Sequence, residues 1–131
     1  MIVSRTIHLN RRLISKSFEF SLGALELYIK LLKRNELELS QKLLFCSTAI
    51  RRNAEGALAS VKKQDFVSSV SLGLKDAVEA RYWLKMLQMK SMVDEESEGC
   101  VEQLNEIINI LNYLMQENNK YKIQLNLQNL N

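Results

Sequence analysis

One stripe of residues constrains this chain more than any other feature. Phe66, Val70, Gly73, Ala77, Ala80, Leu84 and Leu87 follow one another at alternating spacings of four and three. Residues so spaced share one face of an α-helix. The pattern predicts a helix from about Val61 to Lys90, a rod of roughly 45 Å at 1.5 Å per residue. Nothing elsewhere forces a break, because the 131 residues contain no proline and four glycines. That balance excludes collagen-like, low-complexity and turn-rich β architectures.

Three more segments carry the helical period. From about Ser15 to Arg34 there are two stripes, Phe18, Leu22, Leu25, Ile29, Leu32 and Phe20, Ala24, Leu27, Leu31. A helix apolar on two sides must be covered on two sides. One cover is the rest of its own bundle, and the other is a neighbouring subunit. Phe20, Leu27 and Leu31, together with Trp83, are the oligomer-interface candidates. From about Leu37 to Leu58 the buried face is Leu39, Leu43, Cys46, Ile50, Ala54 and Ala57, with small residues at its end that permit close helix approach. Ser60 is a candidate N-cap for the third helix. Asp94 opens the fourth, with Glu95, Glu96 and Glu98 at the positive end of its dipole. Its stripe is Val101, Leu104, Ile108, Leu111 and Met115.

Short connections near Asn35, Ala59 and Ser91–Asp94 imply an all-α, antiparallel up-and-down four-helix bundle. The organisation expected is a basic N-terminal segment 1–14, the bundle 15–117, and an Asn/Gln-rich extension 118–131. In that extension Tyr121, Ile123, Leu125 and Leu127 alternate with polar residues, a strand period. A lone strand has no partner in a bundle, so an irregular or helical extension is favoured. Met1–Arg5 lacks the apolar stretch of a signal peptide, and no apolar run is long enough to span a membrane. Two cysteines, Cys46 and Cys100, read as buried thiols. A cytoplasmic protein with no membrane partner is expected. The formal charge of +3 conceals an asymmetry. Residues 1–63 hold twelve Lys+Arg and five Asp+Glu, and residues 64–131 hold six and ten. Such asymmetry marks a polyanion-binding half or a dipolar assembly surface, or else complementary halves pair across the bundle.

From Ser15 to about Leu114 the chain resembles the four-helix-bundle proteins of the 23S rRNA intervening-sequence family. The residues that carry the resemblance are Ser15-Lys16-Ser17-Phe18-Glu19-Phe20, the Leu27-Tyr28 pair, and the block Ser47 to Ala57. Lys62-Lys63-Gln64-Asp65-Phe66 and the run Leu74 to Leu84, with Glu79, Tyr82 and Trp83, complete the series. Two departures stand out. Asn53 and Glu55 are two apart where the family spacing is three, and Gln64 is an extra residue before Asp65. The resemblance implies a ring-like homopentamer. It also implies kinship with accessory proteins of diversity-generating retroelements, which bind nucleic acid and associate with a reverse transcriptase.

Little here resembles a catalytic centre. His8 is the only histidine, and nothing in the positions of His8 and Cys46 supports a dyad. The glycines are scattered, and the carboxylate–histidine pairs of di-iron bundles are absent. No metal, cofactor or enzymatic activity is expected. Arg51 and Arg52, with Arg11, Arg12, Lys62 and Lys63, are the nucleic-acid-binding candidates, because they can neutralise phosphates and release counterions. In a ring, Arg51 and Arg52 would repeat as a basic collar. The alternative is a solvated face paired locally to Glu55. Asn53 and Glu55 read either as ligand contacts or as a structural bridge from Glu55 to Arg81 or Lys85, and the bridge is preferred. Trp83 stacks a base or fills a seam, and the seam is preferred. Met86, Met89, Met92 and Met115 read as packing.

The function expected is that of a non-enzymatic, self-assembling accessory protein that binds RNA or DNA in rRNA or reverse-transcriptase biology. The rival reading is a protein-binding scaffold without nucleic acid.

Overall fold

The structure, a computed structural model, describes residues 2–35, 37–90 and 97–129, with side chains for 8–35, 37–90 and 97–117. Among these there are four α-helices and no strand: α1 (Ile2–Leu32), α2 (Leu37–Ala59), α3 (Lys63–Met89) and α4 (Ser97–Asn129). Each helix packs on its neighbours in sequence, and α4 closes the square on α1, while the diagonal pairs are kept apart. The short connections make successive helices antiparallel. Side-chain bonds record the register. Ser21 Oγ donates to the Ser47 carbonyl at 3.2 Å, and the Lys16 ammonium meets the Glu106 carboxylate at 3.3 Å.

The stripe of α3 is buried as its spacing predicts, with Val70, Ala77, Ala80, Leu84 and Leu87 all in the core. Small residues on both helices let α2 and α3 come close. A Cβ added at Gly56 would lie 3.2 Å from the Ser69 Oγ, and one at Gly73 would lie 3.5 Å from the Asn53 Cβ.

Two expectations about helix ends are corrected. Residues 1–14 are not a separate segment, because α1 runs through them from Ile2 and buries Asn10 and Leu13 in the bundle. After residue 118 α4 continues to Asn129, the helical alternative and not the strand. A helix satisfies its backbone internally, whereas a lone strand cannot. Ser60 does not cap α3. Its hydroxyl donates to the Gly56 carbonyl at 2.6 Å and so closes α2. Lys62 takes the extended N-cap conformation without a side-chain cap bond. Asp94, Glu95, Glu96 and Met92 lie outside the described residues. From Ser97 onward, Glu98 occupies the first turn of α4, and the Ser97 hydroxyl accepts a bond from Gln88 Nε2 at 3.0 Å. At the α1–α2 turn Asn35 adopts φ 61°, a left-handed conformation that asparagine tolerates better than most residues.

Candidate functional site

Helix α1 decides what the surface presents. Its core seam is Asn10, Leu13, Ser17, Phe20, Ala24, Leu27 and Leu31, all buried. Ser17 fits an apolar seam because its hydroxyl donates back to the Leu13 carbonyl, which satisfies a buried polar group within the helix. The other stripe faces outward. Phe18, Leu22, Leu25 and Ile29 are 42–48% exposed. The two stripes are thus exchanged relative to the sequence expectation. Phe20, Leu27 and Leu31 hold the bundle together and are not available to a neighbouring subunit. Helix α2 adds exposed Leu37 and Phe45.

The basic candidates divide into two groups. Arg51 is engaged locally. Its Nε donates to Glu55 Oε1 at 3.1 Å, and its guanidinium lies 4.7 Å from the centre of the Phe18 ring. It therefore pins the edge of the outward apolar stripe, with a cation–π contact and a helical ion pair. Arg52 is exposed and its charge acts on Asp76. Arg11, Arg12, Lys62 and Lys63 are exposed. The antiparallel register from Ser21 and Ser47 brings Arg11 and Arg12 to the end of the bundle where α2 turns into α3, which carries Lys62 and Lys63.

The preferred bridge from Glu55 to α3 does not form. Glu55 pairs with Arg51 on its own helix, one turn away and within easy reach. Arg81 instead donates to Asn105 Oδ1 on α4 at 3.3 Å, and Lys85 is exposed. Asn53 makes the cross-helix bond. Its Nδ2 donates to Asp76 Oδ2 at 2.9 Å. Burial pushes the Asp76 carboxyl above the usual carboxylate range. The Asn53 bond works against that shift, Glu79 adds to it, and Arg52 and Lys75 oppose it. Asp76 was not among the sequence candidates. Nothing in local spacing links it to Asn53, which lies on another helix.

Trp83 sits half-buried on the α2–α3 side. Lys42 Nζ lies 4.5 Å from its ring centre, and Tyr82 meets it edge-on at 5.2 Å between centroids. Its Nε1 is enclosed without a hydrogen-bond partner. Lys42 covers one ring face of Trp83, and the unpaired Nε1 departs from the seam reading, which expects that N–H satisfied. Both cysteines are free and buried. Burial, with Glu79 and Asp76 nearby, pushes the Cys46 thiol up to about 11. Burial and then Glu26 push the Cys100 thiol up. Thiols held protonated in this way are poor nucleophiles. Among the described residues, no helix is long and apolar enough to cross a membrane, and no three His, Cys, Asp or Glu side chains converge as a metal site would require.

No family model matches the sequence, and no curated protein matches it. A solved structure does. It is a protein of unknown function from the S23 ribosomal protein family of Bacteroides thetaiotaomicron, 26% identical, with a TM-score of 0.78. The match covers 82% of this chain and 98% of that one. The chain is thus similar, over nearly the whole of that protein, to a helical bundle of the S23 ribosomal protein family.

Proposed function

We propose that this chain is a non-enzymatic, self-assembling bundle of the 23S rRNA intervening-sequence kind. In this reading it is a cytoplasmic accessory protein that binds nucleic acid in rRNA or reverse-transcriptase biology, as a ring-like homopentamer. The observation that carries the reading is the outward stripe Phe18, Leu22, Leu25 and Ile29, which a monomer leaves in water. A contiguous apolar face of this kind marks a protein–protein contact. The likeness to the S23-family protein adds support for the bundle type.

The nucleic-acid part rests on Arg11, Arg12, Lys62 and Lys63, which share one end of the bundle and would be multiplied by assembly. Arg51 is a weaker phosphate ligand than the sequence suggested, because Glu55 and Phe18 already occupy it. That engagement favours the second reading, a protein scaffold that binds no nucleic acid. A gel-shift series with RNA and DNA at rising salt separates the two. The first reading expects a salt-sensitive shift that Arg11→Glu/Arg12→Glu/Lys62→Glu abolishes and Arg51→Gln barely alters. No shift at micromolar protein would leave the scaffold alone. Light scattering tests assembly itself, and a monomer would sink both.

A further inference from the structure

Helix α4 outlasts the other three. The register read from Lys16 and Glu106 puts Ile2, the start of α1, level with Lys120. The register read from Gln88 and Ser97, and from Arg81 and Asn105, puts Lys63, the start of α3, level with residues 122 and 123. Helix α2 has already ended at Ala59. Helix α4 runs on to Asn129, so its last turns stand past the other helices as a single rod about 10 Å long at 1.5 Å per residue. The end from which it emerges is basic. Segments 2–14, 59–66 and 118–129 come together there, and they hold three, two and two Lys+Arg against one acid, Asp65. The chain that joins the helices at the opposite end, 30–37 and 89–98, holds four Lys+Arg against five acids.

Two ordinary uses of lysine near a helix end leave Lys122 unexplained. The dipole of a helix is felt within its last turn, and the last turn of α4 contains no basic residue. An ion pair within a helix needs an acid three or four residues away. Lys120 has Glu117 at that distance, and Lys122 has none. Past Glu117 the helix carries no acid and is rich in amides, among them Asn119, Gln124, Asn126 and Gln128. Phosphate and sugar oxygens accept hydrogen bonds from lysine and from amide groups alike.

We infer that the α4 extension, 118–129, is a nucleic-acid-binding arm that holds the phosphate backbone through Lys120 and Lys122. The inference rests on the nucleic-acid reading proposed above and adds an element to it. The arm continues the basic end formed by Arg11, Arg12, Lys62 and Lys63. A polyanion laid across that end meets positive charge from α1, from the start of α3 and from α4 at once. Binding of this kind follows charge and not sequence, and each phosphate neutralised adds to its salt dependence.

The test compares three full-length double variants with the wild type. Lys120→Gln/Lys122→Gln removes two charges from the arm. Lys33→Gln/Lys90→Gln removes two from the opposite end, where both residues are exposed. Lys120→Arg/Lys122→Arg keeps the charge of the arm. Glutamine and arginine match lysine in helix propensity, so each variant should keep its helical spectrum. The probes are a polyuridylate strand and a mixed-sequence DNA duplex, each titrated at several salt concentrations. For the glutamine variant of the arm, the slope of log affinity against log salt should shallow by about 1.4 on the strand and about 1.8 on the duplex, the share of two phosphate contacts. The arginine variant and the opposite-end variant should keep the wild-type slope. A wild-type slope in the glutamine variant of the arm would overturn the inference and leave the nucleic-acid reading standing. Equal losses from the two ends would also overturn it, because net charge alone would then govern binding. A wild-type protein that binds neither probe would overturn the nucleic-acid reading and the arm with it.

Discussion

Asp76 is the residue whose ionisation bears most directly on folding. It is tied to Asn53 across the α2–α3 seam, and its carboxyl is raised chiefly by burial. A raised folded-state value means that the folded chain holds this proton more tightly than the unfolded one. Stability from this group is therefore greatest when it is protonated. It falls as pH rises from the ordinary carboxylate value through the raised one. Asp76→Asn keeps an acceptor for Asn53 and removes the charge. Its urea midpoint should exceed that of the wild type by more at pH 7 than at pH 3, and a larger gain at pH 3 would contradict the assignment. Asn53→Ala leaves the carboxylate without its donor and should cost about 1–2 kcal/mol. The cysteines provide an independent check at the same scale. A thiol at about 11 is ionised in roughly one molecule in a thousand at pH 8. Cys46 should therefore react with a chromogenic disulfide reagent only as fast as the bundle opens, and full reactivity should appear in denaturant.

The glycines of the helices give the sharpest contrasts at the level of the element. At Gly73 in the middle of α3, an added Cβ would meet the Leu111 side chain at 3.6 Å, an ordinary contact. Gly73→Ala should raise stability by about 0.5–1 kcal/mol through helix propensity. At Gly23 in α1 the added Cβ would lie 3.0 Å from the buried Cys100 Sγ. That substitution should lose the gain to steric strain, so paired thermal melts should place Gly73→Ala above the wild type and Gly23→Ala below Gly73→Ala. The elements also differ in how far they were legible. Helix α3 could be read directly, because its seam is uniformly apolar or small and its outer face mixes charges among the apolar residues. Helix α1 was legible as a helix but not in its orientation. Its true seam includes Asn10, Ser17 and Ala24, while its outward stripe is Phe, Leu, Leu and Ile. Hydrophobicity alone therefore points the wrong side inward. What settles the matter is that Ser17 answers its own polarity within the helix and that α2 and α4 flank the Phe20 side. Neither fact is local in sequence. The pairing of Asn53 with Asp76 was hidden for the same reason, since it depends on how two helices slide past one another.

For the molecule as a whole, the question is what the outward α1 stripe does to stability. The bundle has a complete core without it, built from all four helices. The stripe therefore contributes nothing essential to the isolated fold, and it costs little to change there. If copies cover it, folding and association are linked. Anything that binds only the folded state raises the apparent stability by an amount that grows with its concentration. The thermal midpoint of the wild-type protein should then climb with protein concentration. Leu22→Lys/Ile29→Lys should remove that climb, and at low concentration its midpoint should approach that of the wild type, because both are then monomers with the same core. Calorimetry at several concentrations reads this directly. A wild-type midpoint independent of concentration would mean that the stripe stays in water. A variant that melts far below the wild type at every concentration would mean that Leu22 and Ile29 support the monomer after all. The flat response expected of the variant is the stricter test, because a core defect lowers the midpoint without abolishing its dependence on concentration.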